Sequence, residues 1–116
     1  MPFLDQKSLA AAVTGTGAQQ KVDVRNLTAL SIFGKATGGT SVTFTVEVTA
    51  DPAGALGWAT AGVRPPGNGS YVTTGQVVAA GAGVSLFLAP EDNVAWVRLN
   101  VSANSSSLDA YLNGEA

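Results

Sequence analysis

From Lys21 onward, apolar and polar residues alternate with a period of two, the spacing of a strand that buries one face. The clearest run is Thr40 to Ala50, where Val42, Phe44, Val46 and Val48 alternate with Ser41, Thr43, Thr45, Glu47 and Thr49. Before it, Val22 and Val24 face one way and Lys21, Asp23 and Arg25 the other. Thr28 to Lys35 sets Leu30 and Ile32 against Ala29, Ser31 and Phe33. With Gly38-Gly39 as the turn, this segment and the Thr40–Ala50 strand read as a hairpin. Further on come Gln76 to Ala80, a turn at Gly81-Ala82-Gly83, and Val84, Leu86 and Leu88 alternating with Ser85 and Phe87. Pro90-Glu91-Asp92-Asn93 has turn composition, and Val94–Ala103 and Leu108–Asn113 read as a last pair joined by residues 104–107. Seven or eight strands at intervals of about ten to twelve residues predict an all-β fold, a sandwich or a barrel, of which a single antiparallel β-sandwich is the one expected.

Two stretches fall outside this rhythm. Residues 1–19 read as an extended N-terminal arm attached to a sandwich domain at 20–116. Phe3, Leu4 and Leu9 are the arm's larger apolar groups, and its Ala10-Ala11-Ala12-Val13 centre permits a short helix over Gln6 to Val13. The other reading of the arm is an edge strand, of its own sandwich or a neighbour's. Residues 51–75 hold six of the 14 glycines and three of the five prolines. That composition predicts either a long surface excursion or short irregular strands between turns.

Parity in the last strands singles out a set of residues. Ala95, Val97, Leu99, Val101 and Ala103 are uniformly apolar and form the core face, so Trp96 and Arg98 point away from it. The same logic turns Phe87 and Tyr111 outward. Aromatics and arginine are enriched at protein interfaces, so Phe87, Trp96, Arg98 and Tyr111 are candidates for an oligomer contact. The bland alternative is amphipathic rings lying over the sheet, or a cover from the arm.

Composition narrows the chemistry. Leu, Ile, Val and Phe make up 29 of the 116 residues, enough for a packed core. Cysteine and histidine are both absent, which excludes disulfides, thiolate metal sites, histidine general bases and conventional catalytic triads. Glu91-Asp92 is the only adjacent acidic pair, and on a proline-bearing turn it reads as solvated, with a calcium site as the sharper alternative. A net charge of −2 with six scattered basic residues shows no phosphate-tracking patch, so no nucleic-acid partner is expected. No apolar run approaches a membrane span and the first residues lack a signal-peptide pattern, so cytoplasmic synthesis is expected. The sequons at Asn26, Asn68, Asn100 and Asn104 read as strand and turn residues. No enzyme and no cofactor are predicted.

Several segments together resemble small jelly-roll-like β-sandwich proteins from the virions of tailed bacteriophages. The resemblance rests on Val22-Asp23-Val24-Arg25-Asn26-Leu27, Ile32-Phe33-Gly34, the Val42–Ala50 strand leading to Asp51 and Trp58, and above all the ending. That ending is Trp96-Val97-Arg98-Leu99-Asn100-Val101, a polar turn at 104–107, and the short strand Leu108 to Leu112. The proline-bearing stretch between Trp58 and Tyr71 departs from the pattern. The resemblance implies a capsid decoration (cement) protein, a homotrimer on the outer capsid surface, while the general frequency of two-fold symmetry makes a dimer the runner-up. Its partners would be copies of itself and the major capsid protein, with Phe3, Leu4 and Leu9 in docking. The alternative is a tail, baseplate or head-fibre component, including a carbohydrate-binding module with Asp51, Trp58, Arg64, Asn68 and Tyr71 on a ligand-contact loop.

Overall fold

A computed structural model describes residues 4–67, 69–90 and 94–115. Among them the period-two segments become strands and no helix forms. The eleven strands are β1 (Leu4–Val13), β2 (Gly17–Ala18), β3 (Val22–Asp23), β4 (Thr28–Thr37), β5 (Ser41–Thr49), β6 (Ala59–Thr60), β7 (Val63–Arg64), β8 (Gln76–Ala79), β9 (Gly83–Leu88), β10 (Trp96–Asn104) and β11 (Ser107–Glu115). They make two antiparallel sheets packed as a sandwich. One has the order β1-β11-β4-β9-β7; the other has β2-β10-β5-β6, with β3 also on β10 and β8 also on β5. The count exceeds seven or eight because Leu4–Val13 is itself a strand, Gly17–Ala18 adds another, and residues 51–75 hold two short ones.

The core lies between the sheets on the predicted faces. Val42, Phe44, Val46, Val48, Val97, Leu99 and Val101 meet Ile32, Leu86, Leu88, Leu108, Ala110 and Leu112, all buried, and Ala95 is buried as well. Ala103 breaks the expected parity and is exposed, because a bulge between Val101 and Ala103 shifts the register against β5.

The hairpin expected across Gly38-Gly39 does not form: β4 and β5 belong to different sheets. The same holds for β10 and β11, so both links are corners of the sandwich. Alternation identifies a strand's buried face but not its lateral neighbour. The two corners run against each other: Thr40 N–H donates to Ser105 O at 3.1 Å and Ser105 N–H to Ser41 O at 3.0 Å. Gly39, at φ 63, sits where a Cβ would lie 1.6 Å from Ser105 O, so only glycine fits.

The separate arm at residues 1–19 is also corrected. Leu4–Val13 is the edge strand of the five-stranded sheet, antiparallel to β11, and the helix over Gln6–Val13 is absent. Ser8 faces Tyr111 and Ala10 faces Ala110, so Leu9 is the extra residue of a bulge. A second irregularity follows before Val13, with Ala12 at φ 49. Leu9 and Ala10 are consequently both buried. Two bulges erase the two-residue period, which is why this strand does not look like one. Leu9 is fully enclosed by this chain's own core and is not presented for docking.

Candidate interaction surfaces

On the outer face of the six-stranded sheet, the loop after β5 folds back over β10. Asp51 organises it: its carboxylate accepts the N–H groups of Ala53, Ala55 and Leu56 at 2.9–3.0 Å. Bonds from Ala55, Leu56 and Ala53 favour the ionised form and lower the Asp51 pKa below the ordinary carboxylate value. Thr49, nearly fully buried, donates its hydroxyl to Leu56 O at 2.6 Å. Gly54, at φ 65, lies so close over Trp96 that a Cβ would approach the ring to 2.9 Å.

Trp96 and Arg98 point outward as predicted, and each finds partners within the chain. Trp96 Nε1 donates to Pro52 O at 3.0 Å. Lys21 Nζ lies 4.8 Å and the Arg25 guanidinium 5.6 Å from the Trp96 ring centroid. Lys21 also donates to the carbonyls of Ala53 and Gly54. Arg98 Nε donates to Glu47 Oε1 at 2.7 Å, across the strand pair that sets these residues opposite each other. The guanidinium stacks 4.0 Å from the centre of the Trp58 ring. Arg25 binds the Asp23 carboxylate and pulls its pKa to about 2. Around Trp96 and Arg98 this face is covered by its own loop, while Val77 on β8 is 64% exposed.

The outer face of the five-stranded sheet has no such cover. Tyr111 on β11 stands directly opposite Phe33 on β4, and Phe87 on β9 stands opposite Ser31. Phe33, Phe87 and Tyr111 are 41%, 39% and 38% exposed. Phe33 leans over Gly83 on the adjacent strand, where a Cβ would meet the ring at 2.9 Å. Around these rings the register places Gln6, Ser8, Ser31, Ser85 and Asn113, with Lys35 opposite Asp109 one step along and Arg64 beside Phe87. Arg64 lies 5.0 Å from the Phe87 ring and 5.3 Å from that of Tyr71. An aromatic centre among Ser, Asn and Gln, with few charges, has the composition of a protein-recognition surface. A groove of about 950 Å³ at one end of the sandwich shares Arg64 and Phe87 with this face; its walls include Val24, Leu27, Val48, Leu88 and Val94.

Of the four predicted contact residues, Phe87 and Tyr111 are thus brought together on the open face, while Trp96 and Arg98 lie on the covered one. The loop residues do not converge on one ligand. Trp58 is stacked by Arg98, Asp51 is engaged by its own loop, and Arg64 and Tyr71 are associated with the opposite sheet. Phe3, Asn68 and the Glu91-Asp92 pair lie outside the described residues, as does the Leu4 side chain. Among the described residues no three acidic groups gather as a metal site would require. Phe33 is the open-face aromatic that the candidate set leaves out: alternation turns it away from Ile32, but only the register shows it beside Tyr111. No family model matches the chain, and comparison with curated proteins finds no relative.

Proposed function

We propose that this protein is a phage capsid decoration protein, a non-catalytic module that binds the outer surface of a shell as a homo-oligomer and reinforces it. The observation that supports this reading best is the open stripe of Phe33, Tyr111 and Phe87 on a sheet face with few charges. Apolar rings left in water cost free energy that contact with another protein surface recovers, at about 25 cal/mol per Å² buried. The closing segment from Trp96 to Leu112, on which the virion-protein resemblance chiefly rests, supplies one strand of this face. The reinforcement is mechanical: buried area added between neighbouring capsid subunits resists internal pressure.

The test is binding and copy number. Purified protein mixed with undecorated shells is expected to co-sediment with them until the lattice is saturated. Quantitative protein measurement on virions is expected to give a copy number that scales with the shell lattice. A count fixed at the size of a single ring assigns the protein to neck or tail and rejects the decoration reading.

A further inference from the structure

We infer that the open face of the five-stranded sheet pairs with the same face of a second copy about a two-fold axis. The axis runs parallel to the strands between β4 and β11. This rests on the reading of the protein as a self-associating module and names the geometry of that association.

The argument comes from register. A two-fold axis in the interface plane and parallel to the strands keeps each position along the strand and exchanges the strands on either side. Placed between β11 and β4, it sets β4 of one copy on β11 of the other. Phe33 and Tyr111 occupy the same step on those two strands, so each Phe33 meets the other copy's Tyr111, twice over. Lys35 and Asp109 share the next step, so each lysine meets the other copy's carboxylate, again twice. Ser31 and Asn113 share the step on the other side. One operation thus matches aromatic with aromatic, cation with anion, and polar with polar.

The groups are suited to this exchange. Lys35 is exposed and is in none of the ion pairs found among the described residues, which join Lys7 to Asp5, Arg25 to Asp23 and Arg98 to Glu47. Asp109 accepts the Ala12 N–H through one carboxylate oxygen, Oδ1. The strand order is balanced about the axis as well. β9 lies outside β4 and β1 outside β11, so Phe87 comes to face the other copy's Gln6 at the same step. β7 lies outside β9 and has no counterpart across the axis, so four strands about 4.8 Å apart, over some eight residues each, offer roughly 500 Å² per copy. The pair then buries about 1,000 Å², the size a specific interface has to reach.

The experiment is sedimentation of the full chain and its variants at micromolar concentration, with melting curves alongside. The wild type is expected to run as a dimer. Lys35→Asp opposes two carboxylates at each site and Asp109→Lys two ammonium groups, so each alone is expected to weaken pairing about a hundredfold, every change entering the contact twice. An equimolar mixture of the two restores opposite charges at both sites and is expected to dimerise again. Should Asp109→Lys disturb β1 by losing the Ala12 bond, the double variant Phe33→Ser/Tyr111→Ser gives the independent reading: a folded monomer that still melts cooperatively. A wild type that is monomeric or trimeric, charge variants that still pair, a folded mixture that does not, or a serine variant that remains dimeric overturns the two-fold contact. Shell binding is scored separately. A dimer that ignores shells keeps this inference and removes the decoration reading, and a monomer that coats shells does the reverse.

Discussion

The two outer faces of the sandwich carry similar sequence signals and opposite structures. Strands β4, β9, β10 and β11 each alternate an apolar inner row with an outer row that carries one aromatic where polar residues are usual. On the six-stranded sheet Trp96 and Trp58 are partly buried by the loop after β5, by Lys21 and by Arg98. On the five-stranded sheet Phe33, Phe87 and Tyr111 remain open. The difference lies in what each ring can do with its edge. The indole N–H needs an acceptor, and the Pro52 carbonyl supplies one. Phe33 and Phe87 have no such requirement, so a flat protein surface can take them without leaving a polar group unpaired. An outward aromatic is therefore ambiguous until its cover is found.

The contrast is broken most severely by truncating one ring on each face. Trp96→Ala removes a partly buried indole, its bond to Pro52 and the floor beneath Gly54. It is expected to cost roughly 2–4 kcal/mol in urea unfolding while leaving association unchanged. Tyr111→Ser is expected to change stability by less than about 1 kcal/mol while weakening association. Equal stability losses for the two would show that both faces are structural.

Arg98 comes next. Arg98→Ala leaves Glu47 partly buried without its charged partner and uncovers Trp58, with an expected loss of about 1–2 kcal/mol. Arg98→Lys restores the charge but not the planar group stacked on the indole, and is expected to recover only part of that loss. Full recovery by lysine would reduce the stack to an accident of packing. Lys21→Met follows at about 0.5–1 kcal/mol, since the aliphatic stem stays while the ammonium over Trp96 is lost.

How much of this was legible in the sequence depends on which physical constraint each feature obeys. One-sided burial imposes parity, so the core faces of β5, β9 and β11, and most of β10, could be read directly. Lateral order obeys backbone pairing at a distance, which leaves no local trace; the corners at Gly38-Gly39 and residues 104–107 therefore looked like hairpin turns. β1 was illegible because its bulges bury Leu9 and Ala10 in succession, and a strand without alternation resembles a tail. The covered face depends on Asp51 gathering three backbone amides. An Asp-Pro turn is visible in sequence, but the indole beneath it is 44 residues further along. Phe33 was assigned to the correct side of its strand, yet its significance appeared only when β11 set Tyr111 beside it.

Acid is the mildest way to separate the faces, and it acts through two carboxylates on the covered side. Asp51 and Asp23 both have pKa values lowered by folding, Asp23 to about 2, the first by backbone amides and the second by Arg25. A carboxylate whose folded pKa lies below its unfolded value of about 4 contributes its stabilisation above pH 4 and loses it as the pH falls through the folded value. The loop after β5 is therefore expected to loosen as the pH falls below about 4. Both tryptophans of the chain, Trp58 and Trp96, lie on this face, so intrinsic tryptophan fluorescence reports it alone. The expected result is a red shift of the emission in that range, before far-ultraviolet circular dichroism registers loss of the sheets. In Asp51→Asn one oxygen that accepted two amides is replaced or turned away, so the emission is expected to start red-shifted at neutral pH and to move less on acidification. If the wild type shows no change above pH 2, or if fluorescence and sheet signal fall together, the cover is not a separable element and the two faces differ less than their geometry indicates.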